Sequence, residues 1–107
     1  MSDLWGALGQ VIPAATTLTD AYTVPAMKHA TLEITICNQA GPASVRIQHS
    51  VAGEASATKQ YLLYDLPLLA NEAKVSARIT AAAGDVFRVY ASTATVSFNV
   101  NGIEEND

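Results

Sequence analysis

Strict alternation of apolar and polar side chains constrains this chain more than any other feature. Successive residues of a β-strand point to opposite faces, so a period of two sets one face in a core and the other in water. The cleanest case is residues 94–101, where Ala94, Val96, Phe98 and Val100 oppose Thr95, Ser97, Asn99 and Asn101 without exception. Over residues 31–38, Leu32, Ile34 and Ile36 oppose Thr31, Glu33, Thr35 and Cys37. Over residues 44–51, Val45, Ile47, His49 and Val51 share one parity, against Ser44, Arg46, Gln48 and Ser50. Over residues 74–81, Val75, Ala77, Ile79 and Ala81 oppose Lys74, Ser76, Arg78 and Thr80. A weaker strand is predicted over residues 16–24.

Two segments are apolar on both parities: residues 59–66 with Tyr61, Leu62, Leu63 and Tyr64, and residues 85–92 with Val86, Phe87, Val89 and Tyr90. Each is predicted to be a strand covered on both faces, one by the facing sheet and the other by a loop or another subunit. Reversals are signalled at Val24-Pro25-Ala26, at Asn38-Gln39-Ala40-Gly41-Pro42, over residues 67–71 and at Ala83-Gly84-Asp85, while the small, polar residues 52–58 read as an exposed, mobile loop. Seven to eight short strands separated this way predict an all-β fold, an antiparallel β-sandwich of immunoglobulin-like or jelly-roll kind. Helix is confined to a short turn near residues 3–8. The expected organisation is an N-terminal arm over residues 1–15, a sandwich over 16–103, and an acidic tail over 104–107, too polar to pack.

Composition sharpens this. Half of the 107 residues are hydrophobic, yet only one Trp, four Tyr and two Phe are present against nineteen alanines. A domain this small buries only about two-thirds of the surface that its unfolded chain exposes, so a thin, alanine-rich core has little stability in reserve and association would add to it. The six basic residues, Lys28, Arg46, Lys59, Lys74, Arg78 and Arg88, are scattered singly in a chain of net charge −4. Phosphate backbones and anionic membranes are bound by clustered Lys and Arg, so neither nucleic acid nor membrane is an expected partner. A single cysteine, Cys37, makes no intramolecular disulfide and no metal site, and is read as a structural thiol. The first residues lack the basic start and apolar run of a signal peptide, and nothing approaches a spanning helix. The chain therefore reads as soluble and made in the cytosol.

A search for catalytic groups finds no convergent set. His29 and His49 are the only histidines; His49 falls on an inward parity and reads as a satisfied, partly buried side chain, His29 as exposed. Among the carboxylates, Glu33 lies on a polar strand face, Asp65 ends a strand, Glu72 and Asp85 belong to turns, and Glu104 and Glu105 to the tail. Asp85 after Gly84 is read as bonding nearby backbone amides. No cofactor, no metal and no enzymatic activity are expected. Tyr61, Tyr64, Tyr90 and Trp5 are the residues able to form a sugar-stacking platform, but Tyr61 and Tyr64 have opposite parities, so such a platform needs Tyr64 and Tyr90 brought together across strands.

Four segments, TLTDAYTVPAMK (17–28), CNQAGPASVRIQHSVAG (37–53), KQYLLYDLPLLANEA (59–73) and AAAGDVFRVYASTATVSFNVNGIE (81–104), together resemble small β-sandwich virion proteins of tailed bacteriophages, found as head-decoration (cement), neck or tail components. The likeness spans most of residues 17–104 and rests on strand and turn patterns. It implies glycine in the turn where this chain has Met27. It also implies a virion protein on the capsid surface that binds and stabilises the major capsid lattice, with the major capsid protein or other virion proteins as partners and a homo-oligomer, a trimer above all, as the assembled form. The alternative is a neck or tail-associated receptor or carbohydrate-binding module. The residues expected at a protein interface are Leu4, Trp5, Leu8, Tyr61, Tyr64 and Tyr90. Trp5 either anchors an arm on a neighbour or plugs one end of its own sandwich.

Overall fold

Alternation becomes pairing in two layers. The structure, a computed structural model, describes residues 4–107. Nine strands are found among these residues: β1 (Leu4–Val11), β2 (Thr19–Thr23), β3 (Lys28–Asn38), β4 (Ala43–Ser50), β5 (Tyr61–Leu68), β6 (Ala73–Val75), β7 (Ile79–Ala81), β8 (Val86–Ala91) and β9 (Val96–Asn106). A five-stranded sheet runs β1-β9-β3-β6, with β7 also on β3, and a four-stranded sheet runs β2-β8-β4-β5; every pairing is antiparallel. The protein is an all-β sandwich.

The inward rows are those that the alternation marks. Leu32, Ile34 and Ile36 of β3 and Val96, Phe98 and Val100 of β9 face Val45 and Ile47 of β4 and Phe87, Val89 and Ala91 of β8, each at most 1 % exposed. Removing such side chains from water is the main favourable contribution to folding.

Four expectations need correction. The segment over residues 4–11 is neither arm nor helical turn: β1 pairs with β9 from Leu4↔Glu104 to Val11↔Phe98, and Leu8 and Val11 pack against the core. Its alternation is hidden by a register shift between Ala7 and Gly9 and by Gly6 at φ +108°. Gly9 then passes so close to the Ala21 carbonyl of β2 that no Cβ fits there, which closes this side of the sandwich. Of the predicted helical turn, residue 3 lies outside the described residues.

The acidic end packs as well. β9 continues to Asn106, and Glu104 is 6 % exposed, accepting a hydrogen bond from the Tyr22 hydroxyl. Glu104 extends the inward parity of Val96, Phe98 and Val100. Burial, with the Glu104 carboxylate beside it, raises the Tyr22 phenol well above its ordinary pKa and keeps it a donor.

The strand expected over 74–81 is two pieces. Thr35 pairs with Val75 and Leu32 with Ile79, three steps on β3 against four on the partner. The Ser76 hydroxyl accepts from the Ile34 amide at 2.9 Å while the Ser76 amide donates to the Ile34 carbonyl at 2.9 Å, so residues 77–78 bow outward and Val75 turns to solvent, 61 % exposed.

The polar parity of β4 does not all face water either. Gln48 and Ser50 are buried under residues 51–60, which are mostly exposed but tied down. Gln48 Nε2 donates to Ser56 Oγ at 2.8 Å, Ser50 Oγ to Gln60 Oε1 at 2.8 Å, and Gln60 Nε2 to the Ala55 carbonyl at 2.9 Å. Arg88 Nη1 donates to Ser50 Oγ and to the Glu54 carbonyl, with its Nε on Asp20.

The turn at Met27 adopts φ +62° with the side chain 80 % exposed. A side chain in this left-handed conformation costs about 1 kcal/mol relative to glycine. Met27→Gly is accordingly expected to raise unfolding stability by about 1 kcal/mol, read as a higher urea midpoint at unchanged m-value.

Candidate functional site

β5 is the free edge of the four-stranded sheet, and it is irregular. Against β4 it shifts register twice, between Val45↔Leu66 and Ile47↔Leu63 and again before Gln48↔Tyr61, each time with one extra residue on β5, and Asp65 takes φ +51°. The extra residue between Tyr61 and Leu63 reverses the parity. This corrects the expectation that Tyr61 and Tyr64 cannot share a face: their rings meet edge-on with centroids 4.8 Å apart.

Arg46 on the neighbouring strand completes the row. Its guanidinium lies 4.3 Å from the Tyr64 ring centroid and 4.4 Å from that of Tyr90, which pairs with Arg46 across β4 and β8. Arg46 Nε and Nη2 grip the two oxygens of Asp65 at 2.6 and 3.3 Å. That hydrogen bonding, which outweighs partial desolvation, raises the Arg46 pKa above its ordinary value. The outcome is a ladder, Tyr61, Tyr64, Arg46, Tyr90, on the outer face of the four-stranded sheet. It stands beside the half of that face which residues 51–60 cover. Tyr64 is 59 % exposed, whereas Tyr61 and Tyr90 are half-buried. Preassembled Tyr and Arg side chains lose little conformational entropy on binding and are the types that dominate protein interfaces.

The other sequence-predicted interface residues lie elsewhere. Trp5 is on the five-stranded sheet and 74 % exposed, so it does not plug its own sandwich and does not join the tyrosines. With Thr31, Glu33, Arg78, Asn101, Ile103 and Glu105 it borders a shallow groove of about 450 Å³. Leu8 is half-buried and packs against the core, beside the shift at Ala7/Gly9. Of Leu4 the structure describes only the backbone, which pairs with Glu104.

Titratable groups outside the ladder serve the fold. His49 stacks on Phe87 at 4.5 Å and its Nε2 meets Asp85 Oδ2 at 2.8 Å. Asp85 also accepts from the amides of Ala52 at 2.9 Å and Ala82 at 3.0 Å. Burial alone would raise the Asp85 pKa, but these amides and His49 outweigh it and hold the carboxyl below its ordinary value. Cys37 is half-buried on β3. Among the described residues no group of three or more His, Cys, Asp or Glu is placed to hold a metal ion, and no helix is long and apolar enough to cross a membrane.

Comparison with known proteins finds no matching family model, no matching curated protein and no matching solved structure.

Two outcomes follow from these groups. Asp85→Ala leaves the Ala52 and Ala82 amides and His49 without their acceptor and is expected to cost about 2–4 kcal/mol of stability in urea unfolding. His29 bonds Asp107 at 2.9 Å and faces Glu105 at 3.5 Å, and chiefly the Asp107 bond raises its pKa. The hold on the chain end is therefore complete below the unfolded value of about 6.5 and is lost as pH rises through the higher folded value. An NMR titration is expected to place the His29 midpoint above that of a model peptide, and Asp107→Asn to lower it.

Proposed function

We propose that this chain is a non-enzymatic structural subunit that binds other protein subunits, and, from the resemblance carried by residues 17–104, that it is a virion protein of a tailed phage. Within that class the reading is a head-decoration protein that braces major capsid subunits. The observation that carries the binding role is the exposed Tyr61-Tyr64-Arg46-Tyr90 ladder, a rigid amphipathic row with its one cation already neutralised by Asp65. A partner laid on such a row covers aromatic area without first desolvating a bare charge.

The carbohydrate-binding alternative draws on the same ladder, since Tyr64 and Tyr90 share one face, joined through Arg46. Sugars stack on open ring faces, however, and Arg46 occupies a face of each of these two rings. The geometry therefore favours protein over glycan.

The deciding experiment mixes the purified chain with head particles assembled without it and measures retention by sedimentation. The unaltered chain is expected to be retained saturably, and the folded Tyr64→Ala/Tyr90→Ala double variant at least roughly tenfold more weakly, as for loss of an interface hot spot. No retention of the unaltered chain would overturn the decoration role. Saturable glycan binding, abolished in the double variant while particle binding persists, would establish the alternative.

A further inference from the structure

The sandwich is closed along one side and open along the other. Where β1 passes β2, Gly9 meets the Ala21 carbonyl and the layers touch. At the opposite edges, β5 carries its two extra residues and residues 77–78 bow away from β3, leaving a cleft of about 480 Å³ between the sheets. Its floor belongs to the core. Ile47 of β4, 1 % exposed, and its pairing partner Leu63 of β5 line it together with Ile79 of β7 from the other layer, and Leu63 and Ile79 pack on the core while only half-buried. Leu62 stands at the mouth, 46 % exposed. Apolar interior therefore meets water along this seam, a contact that an apolar occupant would remove.

The make-up of the cleft defines that occupant. It is a slot between two strand edges, and its volume lies in the range of roughly 300–1,000 Å³ usual for small-molecule sites. The only charged side chain that lines it is Arg78, at the rim with the Thr80 hydroxyl; no carboxylate lines it. Arg78 makes no ion pair and no side-chain hydrogen bond among the described residues. It also borders the groove beside Trp5, yet neither Glu33 nor Glu105 of that groove pairs with it, and Glu105 faces His29 instead. One unpaired guanidinium over an apolar slot matches one negative charge on an apolar tail. The planar fork suits a carboxylate through two parallel hydrogen bonds, whereas the second charge of a phosphate monoester would find no further cation lining the cleft.

We propose that this cleft binds a single-chain anionic amphipath, a medium-chain fatty carboxylate, with its alkyl chain against Ile47, Leu63 and Ile79 and its head on Arg78. An unbranched chain can lie along a slot bounded by strands, which a bulky ring system cannot enter. The site is separate from the Tyr61-Tyr64-Arg46-Tyr90 ladder, which stands on the outer face of the same sheet. It therefore goes beyond the subunit role proposed above, and its failure would leave that role untouched.

The test titrates the full chain with sodium octanoate and sodium decanoate, each below its micelle-forming concentration, and with decanol, followed by calorimetry and by NMR. Decanoate is expected to bind saturably, one molecule per chain, and about fifteenfold more tightly than octanoate, because each buried methylene strengthens binding about fourfold. Methyl signals of Ile47, Leu63 and Ile79 are expected to shift, with the Trp5 indole N–H unmoved. Arg78→Gln is expected to weaken decanoate about tenfold, as for loss of a hydrogen bond to a charged group, and to leave decanol unchanged. Ala77→Phe, which puts a ring into the slot from an exposed position, is expected to abolish binding of both. Circular dichroism checks that the variants are folded, and the comparison of chain lengths decides without any variant. Absence of saturable decanoate binding, equal affinity for octanoate and decanoate, shifts centred on Trp5 in place of the cleft, or equal weakening of decanoate and decanol by Arg78→Gln would each overturn the proposal.

Discussion

Because β3 and β9 pair residue for residue over eleven positions, from Lys28↔Asn106 to Asn38↔Val96, without a shift, they form the one rigid reference against which the other strands are placed. An unshifted ladder keeps both inward rows on one plane, so Leu32, Ile34, Ile36, Val96, Phe98 and Val100 present a continuous apolar face. β1 can then add along the free side of β9 as far as Glu104, and β6 and β7 along the free side of β3. A single-residue slip in this ladder would send one row to solvent and leave Glu104 without Tyr22. The irregularities of the molecule are accordingly found at the edges, in β1, β5 and the β6–β7 break, where an extra residue disturbs only one neighbour.

Those edge irregularities decide what the surface offers. The extra residues of β5 bring two tyrosines onto one face and, with the break between β6 and β7, leave the two layers apart. Residues 51–60 do the opposite at the other half of the same outer face. They cover Gln48, Ser50 and Arg88 and answer each buried polar group, and among the described residues no buried side-chain donor or acceptor lacks a partner. One half of that face is thus covered within the chain, and the half bearing Tyr61, Tyr64, Arg46 and Tyr90 carries no such cover.

Much of the fold was legible because alternation reports directly on a two-layer core. The strands about residues 31–38, 44–51 and 94–101 could be read from their inward parity, and the turn role of Asp85 and the satisfied state of His49 from their neighbours in sequence. The ladder was legible only in its tyrosines; the place of Arg46 between Tyr64 and Tyr90, and the shared face of Tyr61 and Tyr64, were not. Tyr61 and Tyr64 have opposite parities in any regular strand, and only the extra residue in β5 reconciles them. Glu104 and Tyr22 were missed although Glu104 continues the parity of Val100, because acidic composition at a chain end outweighed the pattern. Gln48 and Ser50 read as solvent-facing because nothing local says that a loop ten residues long folds back over them.

By itself, then, the sequence determined an all-β sandwich, its inward rows, its turns and a surface without clustered charge, since these depend on side-chain period and local backbone preference. Only the tertiary structure decided which edges stay open, that Arg46 lies between Tyr64 and Tyr90, that Trp5 stands apart from them, and that residues 4–11 and 96–106 are strands. These features come from registers between segments distant in the chain, where one extra residue on one strand turns a side chain from one face to the other.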